Sequence, residues 1–310
     1  MINVTKISDR IAAYLAIVAF CALSAARDVI SEFFFKSETY QASPVFVLFV
    51  YSAVTQLVGL VIFAFSPAAS RPKIAELKEN KNEIIYLNLF TAAAFALYFA
   101  AIRLPLGAGM NAFVDYGTGP IFTALVGVHM LHERLDRRFV YVCVASLAGL
   151  LFLNIPRFQV EQASAQWLLG IGCALLSAVA GAYYTIYYKI LLERKLPKSL
   201  IITLRLVCLT VILGLALAIN QSLFRTDLLI PTVILGLIGF TLPLFLILTI
   251  VQRVTIRQYS VLLFLVPALT LLFSIGAGYE RLRIFDLLGA GVIVIAVIYH
   301  EAKPGSNRQG

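Results

Sequence analysis

Long apolar stretches recur along the whole of this 310-residue chain. A helix of about 20 mostly apolar residues is long enough to cross the hydrocarbon core of a membrane. The sequence contains ten such stretches, joined by short loops, and therefore predicts an all-α integral membrane protein with ten transmembrane helices. The predicted spans are residues 11–35, 44–65, 84–102, 106–130, 139–155, 166–192, 199–219, 229–251, 258–278 and 284–300.

The composition supports a membrane protein and argues against other classes. Hydrophobic residues make up 61% of the chain and charged residues 13%, whereas about a quarter of the residues in a soluble domain are charged. The four cysteines lie within apolar stretches without metal-ligand spacing, so neither a disulfide scaffold nor a metal site is predicted. The sequence has no nucleotide-binding loop. We therefore expect no cofactor and no ATP-driven transport by this chain alone.

The basic residues give the predicted orientation in the membrane. Cytoplasmic loops of membrane proteins are enriched in Lys and Arg. If the N-terminus is cytoplasmic, 16 basic residues lie on the cytoplasmic side and 6 on the opposite side. We expect a multi-pass protein of the cell inner membrane with both termini in the cytoplasm. Because the basic residues form no cluster, the net charge of +9 is attributed to topology, and no nucleic-acid partner is expected.

The two halves of the chain resemble each other at fixed offsets. Leu-Ser-Ala at residues 23–25 and the following Lys36 both recur 153 positions later. Pro120 and the Glu-Arg-Leu at residues 133–135 recur 147 positions later, where the proline is Pro267. Each half has five spans, an odd number, so the second copy is inverted relative to the first. Inverted repeats of this kind are typical of secondary transporters.

These features predict two inverted five-helix repeats, residues 1–158 and 159–310, around a central cavity. Ten spans in two repeats, with a proline followed by Glu-Arg-Leu at the ends of the fourth and ninth spans, resemble the EamA-type branch of the drug/metabolite transporter superfamily. The resemblance covers nearly the whole chain. It implies an inverted-repeat helical fold and alternating access for small metabolites, most often exported.

Charged residues inside the predicted spans are the candidates for a substrate site. A charged residue at the centre of a membrane helix costs about 2.5–3.5 kcal/mol, so its presence there indicates a functional role or a specific partner. Polar and aromatic residues at helical spacing share faces with these charges. The predicted substrate-binding residues are Ser24, Arg27 and Asp28 in the first span, Asn111, Asp115 and Tyr116 in the fourth, Tyr183 and Tyr184 in the sixth, and Arg205 in the seventh.

Arg27 and Asp115 have the most definite predicted roles. Arg27 is a candidate to bind a substrate carboxylate through two parallel hydrogen bonds. Asp115 is a candidate to bind an ammonium group or to carry the coupling proton. The structural alternative is that Arg27 is neutralised by Asp28, Glu32 or Asp115. Tyr187 and Tyr188 are expected to form part of an aromatic belt at the membrane interface.

Several other residues are predicted to be structural. Pro120 and Pro267 are expected to kink their helices and to serve gating or packing. Glu32 and Lys36 approach the outer interface, where long side chains reach the polar region. Glu133 and its repeat partner Glu280 are expected to cap helices or to pair at the interface. A metal site at His129 and His132 lacks a third ligand at fixed spacing, so it is not predicted.

The sequence thus predicts a secondary active transporter. The preferred substrate is a small polar or amphoteric metabolite, such as an amino acid or a derivative, exported by alternating access and coupled to protons. The alternatives are an importer or exchanger of a cationic or neutral metabolite and, more remotely, an intramembrane enzyme. The expected partners are the metabolite, the lipid bilayer and protons, and the chain is expected to be a monomer or a homodimer.

Overall fold

The computed structural model describes residues 4–67, 74–133, 137–158, 164–279 and 281–302, and every regular element within these ranges is helical. Each predicted span lies in one helix or in consecutive helices, which we number in chain order with a and b for the parts of an interrupted helix. They are α1 (Val4–Lys36), α2 (Pro44–Ala64), α3 (Lys81–Arg103), α4 (Gly107–Leu131), α5 (Arg137–Phe158), α6 (Ala165–Glu193), α7a (Lys198–Arg205), α7b (Val207–Ile219), α8a (Leu229–Leu235), α8b (Leu242–Arg253), α9a (Ile256–Leu263), α9b (Leu265–Gly276) and α10 (Ile284–Ala302). Shorter helical turns are Ile74–Glu79 before α3, and Gln221–Leu223 and Thr226–Leu228 before α8a.

The apolar surface of the bundle suits a lipid environment. Seven helical segments within the described residues are long and apolar enough to cross a membrane, namely α1, α2, α3, α6, α7, α8 and α9, and α10 contributes a shorter apolar helix. Leu15, Leu57 and Ile295 are each more than 60% exposed. Such an outward apolar surface marks contact with lipid. The prediction of a multi-pass helical membrane protein is confirmed, while the number ten and the inversion of the repeats stay predictions.

Side-chain caps determine where several helices begin. Ser43 accepts a hydrogen bond from a first-turn backbone N–H of α2. Pro44 follows in the first turn, where a missing N–H costs nothing. Ser164 caps α6 in the same way. Thr255 and Gln258 form a reciprocal capping box at the start of α9a.

Three helices of the second half are irregular. α7 breaks at Leu206, α8 contains the π-helical turn Gly236–Thr241, and α9 breaks at Phe264. Pro267 lies three residues after the α9 break and cannot donate to the carbonyl four residues before it, which accounts for that break. Pro243 likewise lacks the N–H that would reach a carbonyl inside the π-helical turn.

The break in α7 is supported by polar side chains from neighbouring helices. Oδ1 of Asn88 in α3 accepts a hydrogen bond from the backbone N–H of Cys208, 3.1 Å away. Nε2 of Gln56 in α2 donates to the carbonyl of Thr203 at 3.4 Å. Because no water is available in hydrocarbon, backbone groups near a helix break need partners of this kind.

The helices pack in pairs that connect the two halves of the chain. α1 packs on α8 and α9, and α6 packs on α3 and α4. α2 packs on α7, α4 on α9, and α5 on α10. The core between the halves is rich in aromatic rings, among them Tyr51, Phe99, Tyr188, Phe240 and Phe264, all fully buried.

The contact between α5 and α10 is made by backbone against backbone. A Cβ atom added to Gly289 would lie 2.5 Å from the carbonyl oxygen of Gly149 and 2.7 Å from Leu153 Cγ. A Cβ on Gly149 would meet the Gly289 carbonyl oxygen at 2.8 Å. Small residues let membrane helices approach this closely, so the two glycines set the spacing of α5 and α10.

Candidate functional site

Arg27 and Asp28, adjacent in α1, form a buried ion pair. Nε and Nη2 of Arg27 donate to Oδ1 of Asp28 at 2.9 and 2.6 Å. The hydroxyl of Tyr98 in α3 donates to the other carboxylate oxygen at 2.5 Å. Arg27 is 5% exposed and Asp28 is fully buried. Buried charges are stable when they are paired and hydrogen-bonded, and this is the neutralising alternative that the sequence left open for Arg27.

The π-helical turn of α8 packs against this ion pair. The guanidinium carbon of Arg27 lies 5.9 Å from the centroid of the Phe240 ring and 5.7 Å from that of Phe99. A Cβ on Gly239 would stand 2.9 Å from Cβ of Arg27. Glycine at this position therefore lets the turn approach α1 closely, and π-helical turns are frequent at functional sites.

Arg205, the last residue of α7a, lies in an aromatic box without a counter-ion. Its guanidinium carbon lies 4.2 Å from the centroid of the Tyr188 ring, 4.9 Å from that of Tyr184 and 5.6 Å from that of Phe95. Arg205 is completely buried. None of its three guanidinium nitrogens makes a hydrogen bond of good geometry with the part of the chain that the structure describes, so the three rings and the neutral hydroxyl of Tyr184 are what stabilise its charge there.

The two arginine clusters are neighbours. The Phe95 ring, which faces Arg205, lies 4.7 Å from the Phe240 ring, which faces Arg27. Tyr184 also interacts electrostatically with both arginines and with Asp115. Side chains of α1, α3, α4, α6, α7 and α8 thus meet in one place, between the two halves of the chain.

Three predicted polar residues present buried atoms without a partner. Oδ1 of Asp115, Oδ1 of Asn111 and Oγ of Ser24 make no hydrogen bond to any described residue. The side-chain amide of Asn111 donates weakly to the carbonyl of Tyr98, 3.5 Å away. Tyr116 packs edge-on against the Tyr98 ring, with centroids 6.0 Å apart. Because buried polar atoms are nearly always satisfied, these unpaired oxygens indicate a place where a ligand or water completes the bonding.

The structure separates the two predicted tyrosines of α6. Tyr184 faces Arg205, whereas the Tyr183 ring stacks on Phe90 of α3 with centroids 4.7 Å apart. Tyr187 continues that stack against Phe90 and Tyr86. Adjacent residues in a helix point about 100° apart, so Tyr183 shares the face of Tyr187 and packs between α3 and α6, away from both arginines.

Tyr188 does not belong to an interfacial belt. It is fully buried and its ring is the nearest of the three to the Arg205 guanidinium. Its hydroxyl has no hydrogen-bond partner among the described residues. Tyr184 and Tyr188 are four residues apart and therefore share a helix face, which was the available sequence signal for this pair.

The two predicted gating prolines differ in their effect on their helices. Pro120 is buried inside α4, which continues through it from Gly107 to Leu131. Pro267 is also buried but follows the break at Phe264 in α9. The expected kink is therefore accompanied by an interrupted helix only at Pro267.

Ionisable residues near the helix ends form partly exposed pairs. Lys36 donates to Glu32 at 2.8 Å, and Glu32 also accepts the first-turn N–H of Ala108 at 3.0 Å. On the opposite side of the bundle, Lys189 of α6 pairs with Glu133 at the end of α4, at 2.5 Å. Three residues of the repeated Glu-Arg-Leu motif, Arg134, Leu135 and Glu280, lie outside the described residues. Within those residues, no group of three or more His, Cys, Asp or Glu side chains could hold a metal ion.

Five aromatic residues of the cluster were not predicted from the sequence as parts of a site. Tyr98 donates a hydrogen bond to Asp28, Phe95 and Tyr188 face Arg205, and Phe99 and Phe240 face Arg27. All lie in apolar stretches, where an aromatic residue is ordinarily packing or lipid-facing. Only the way in which α3, α6 and α8 meet distinguishes them from the other rings.

Comparison with known proteins agrees with this fold. Residues 168–299 match the family model of the EamA-like transporter family, part of the drug/metabolite transporter superfamily. No curated protein matches the sequence. A solved crystal structure, described only as that of a protein, superposes with a TM-score of 0.72 at 17% identity, over 94% of this chain and 95% of that chain. At this identity the likeness concerns the fold alone. The resemblance predicted from the sequence is confirmed over residues 168–299, which match the EamA-like transporter family.

Proposed function

We propose that the protein is a secondary active transporter that exports a small polar or amphoteric metabolite, such as an amino acid or a derivative, across the inner membrane. The observation that carries this proposal is the buried cluster of charges between the two halves. Arg27, Asp28, Asp115 and Arg205 come from three different helices, and unpaired polar atoms remain among them. Charges this deep in membrane helices mark solute or proton pathways.

The helix packing supports an inverted repeat of ten spans. If helices 1–5 are exchanged with helices 6–10, the pairing of α1 with α8 and α9 becomes the pairing of α6 with α3 and α4. The pairs α2 with α7, α4 with α9 and α5 with α10 map onto themselves. A two-fold axis in the membrane plane would produce this pattern, and sites of such transporters lie at the repeat interface. We propose repeats of residues 1–158 and 159–310.

Proton coupling is assigned to Asp115 in this proposal. Its unpaired Oδ1 lies in the cluster, and Ser177 is the hydroxyl that neighbours the carboxylate. Asp28, by contrast, receives three hydrogen bonds from Arg27 and Tyr98. A carboxylate with an unpaired oxygen can exchange a proton for a substrate ammonium group, whereas a fully bonded one is held in place.

The orientation with both termini in the cytoplasm follows from the basic loops and completes the proposal. In that orientation Lys189 and Glu133 close the cytoplasmic ends of α6 and α4, and the Glu32–Lys36 pair lies at the outer end of α1.

Transport by the purified protein in liposomes tests the proposal. Proteoliposomes loaded with a mixture of unlabelled amino acids and related metabolites are expected to accumulate the labelled substrate by counterflow. Asp115→Asn should fold and insert but lose proton-driven flux. The matched control is Asp227→Asn, because Asp227 pairs with Arg225 in an exposed turn and its loss should leave flux unchanged. Equal proton-driven flux in the wild type and in Asp115→Asn would contradict the assignment.

A further inference from the structure

We propose that Arg205 binds the single carboxylate group of the transported solute, inside the aromatic box of Tyr184, Tyr188 and Phe95. This inference rests on the proposed transport function and specifies its substrate class as a monocarboxylate. It assigns to α7 the anion-binding role for which Arg27 was the first sequence candidate.

The first argument is the missing counter-ion. Arg205 is completely buried, and its hydrogen-bonding neighbour among the described residues is the neutral hydroxyl of Tyr184, which makes no bond of good geometry with the guanidinium nitrogens. Arginine keeps its charge in proteins, and an isolated charge in an apolar interior is strongly unfavourable. The polar neighbours that interact with it are the phenols of Tyr184 and Tyr259, and neither is an anion under ordinary conditions. An anion from outside the chain would complete this site.

The second argument is the division of roles around the guanidinium group. Three rings lie 4.2 to 5.6 Å from its central carbon and offer it π surface. The Tyr184 hydroxyl is the neutral hydrogen-bonding group beside it, and no acceptor among the described residues meets its N–H donors in good geometry. A guanidinium group offers parallel N–H bonds that match the two oxygens of a carboxylate, and rings beside it exclude water that would weaken the pair.

The third argument is the comparison with Arg27. Both arginines are buried beside aromatic rings, but Arg27 uses Nε and Nη2 to bind Asp28. Arg27 and Asp28 together are neutral, so Arg205 is the one uncompensated cation of this pair of clusters. One positive charge with apolar walls fits one carboxylate better than a strongly hydrated dianion such as phosphate. Asp115, which interacts with the same Tyr184, is placed to receive the cationic end of an amphoteric solute.

The position of Arg205 on the backbone fits a role in transport. It ends α7a, and the break that follows is held by Asn88 and Gln56 through the backbone groups of Cys208 and Thr203. Substrate sites of transporters with inverted repeats are typically built at interrupted helices near the midplane.

The test uses the full-length protein in detergent, with benzoate and its neutral isostere benzamide as probes. Benzoate should raise the melting temperature of the wild type in a concentration-dependent way, and benzamide should not. In Arg205→Met the apparent affinity for benzoate should fall about tenfold or more, as expected for the loss of charge-assisted hydrogen bonds. The matched control is Arg103→Met, which removes the same charge from an exposed position and should stay within about twofold of the wild type.

A second measurement keeps the test decisive whether or not Arg205→Met is stable. Without an anion, Arg205→Met should melt at or above the wild-type temperature, because it removes an unpaired buried charge. If Arg205→Met is too unstable to purify, or if benzoate stabilises it as strongly as the wild type, the residue is structural and the inference is overturned. Arg205→Lys keeps the charge but loses the parallel N–H donors of the guanidinium group, so it should show intermediate benzoate affinity.

The failure of this inference is distinguishable from failure of the transport function. If the wild type catalyses counterflow while benzoate binds equally to the wild type and Arg205→Met, the transport function stands and the role of Arg205 falls. If benzoate binding depends on Arg205 but the wild type catalyses no counterflow, the transport function falls, and the proposal that Arg205 binds a transported solute falls with it.

Discussion

Breaking the buried ion pair of α1 should be far more costly than removing it as a whole. Arg27→Met leaves Asp28 fully buried with only the Tyr98 hydroxyl as a partner. Asp28→Leu leaves Arg27 beside three aromatic rings, with no acceptor for the two bonds that it now donates. Each single change leaves one buried charge without its partner, and we expect each to lower the free energy of unfolding by about 3–5 kcal/mol.

The double variant Arg27→Met/Asp28→Leu strands no charge. Its main loss is the acceptor of the Tyr98 hydroxyl, which costs about 1–3 kcal/mol. The double variant should therefore be more stable than either single variant. The resulting coupling energy between Arg27 and Asp28 should be at least about 3 kcal/mol.

The cycle can be measured by unfolding in mixed micelles of increasing SDS content, followed by the helical circular dichroism signal. The pair of Glu32 and Lys36 provides an internal reference, since these side chains are 24% and 39% exposed. Its cycle, Glu32→Gln with Lys36→Met, should give a coupling energy of about 1 kcal/mol or less. If the α1 double variant is less stable than both single variants, the ion pair is not the source of the stability and the reasoning is wrong.

Three further predictions follow from other contacts. Gly289→Ala should lower the free energy of unfolding by about 1–3 kcal/mol, because the new methyl group would clash with the backbone of α5. Gly291→Ala, which has open space around it, should be neutral or slightly stabilising in the same SDS titration. Glu133→Gln removes the partly exposed pair with Lys189 and should cost about 1 kcal/mol or less, so a loss as large as that of Arg27→Met would contradict the estimate. Pro267→Ala should slow counterflow more than Pro120→Ala does, because only Pro267 accompanies an interrupted helix, and equal rates would show that the break has no role in transport.

The helical membrane fold was predictable because its signals are local. The length of each apolar stretch depends on the stretch alone, and the sequence Ser43-Pro44 marks a helix start without reference to the rest of the chain. The irregular helices were less accessible. Pro267 was recognised as a kink, but the π-helical turn Gly236–Thr241 depends on Pro243 together with the close packing of Gly239 on α1.

The charged residues of the candidate site were predictable from the sequence, whereas most of the aromatic residues that surround them were not. Arg27, Asp28, Asp115 and Arg205 stand out because charges are rare in apolar stretches. Tyr183 and Tyr184 were indistinguishable in sequence, although they face different neighbours. Which arginine is neutralised also depends on tertiary structure, since Asp28 is completed by Tyr98, 70 residues away along the chain. Arg27 is thus paired with its neighbour in sequence, whereas Arg205 lies among aromatic rings from other parts of the chain.

The glycine contact between α5 and α10 has a mechanical consequence. The backbones at Gly149 and Gly289 approach so closely that neither position has room for a Cβ atom, so little space is left between the helices to absorb a shift. Sliding one helix along the other would drive Leu153 or Ile293 into the facing glycine, while a small rotation about the contact point leaves it intact. The contact between α5 and α10 would therefore act as a pivot if one half of the chain rotated against the other. Helices close to this pivot would move less than helices far from it.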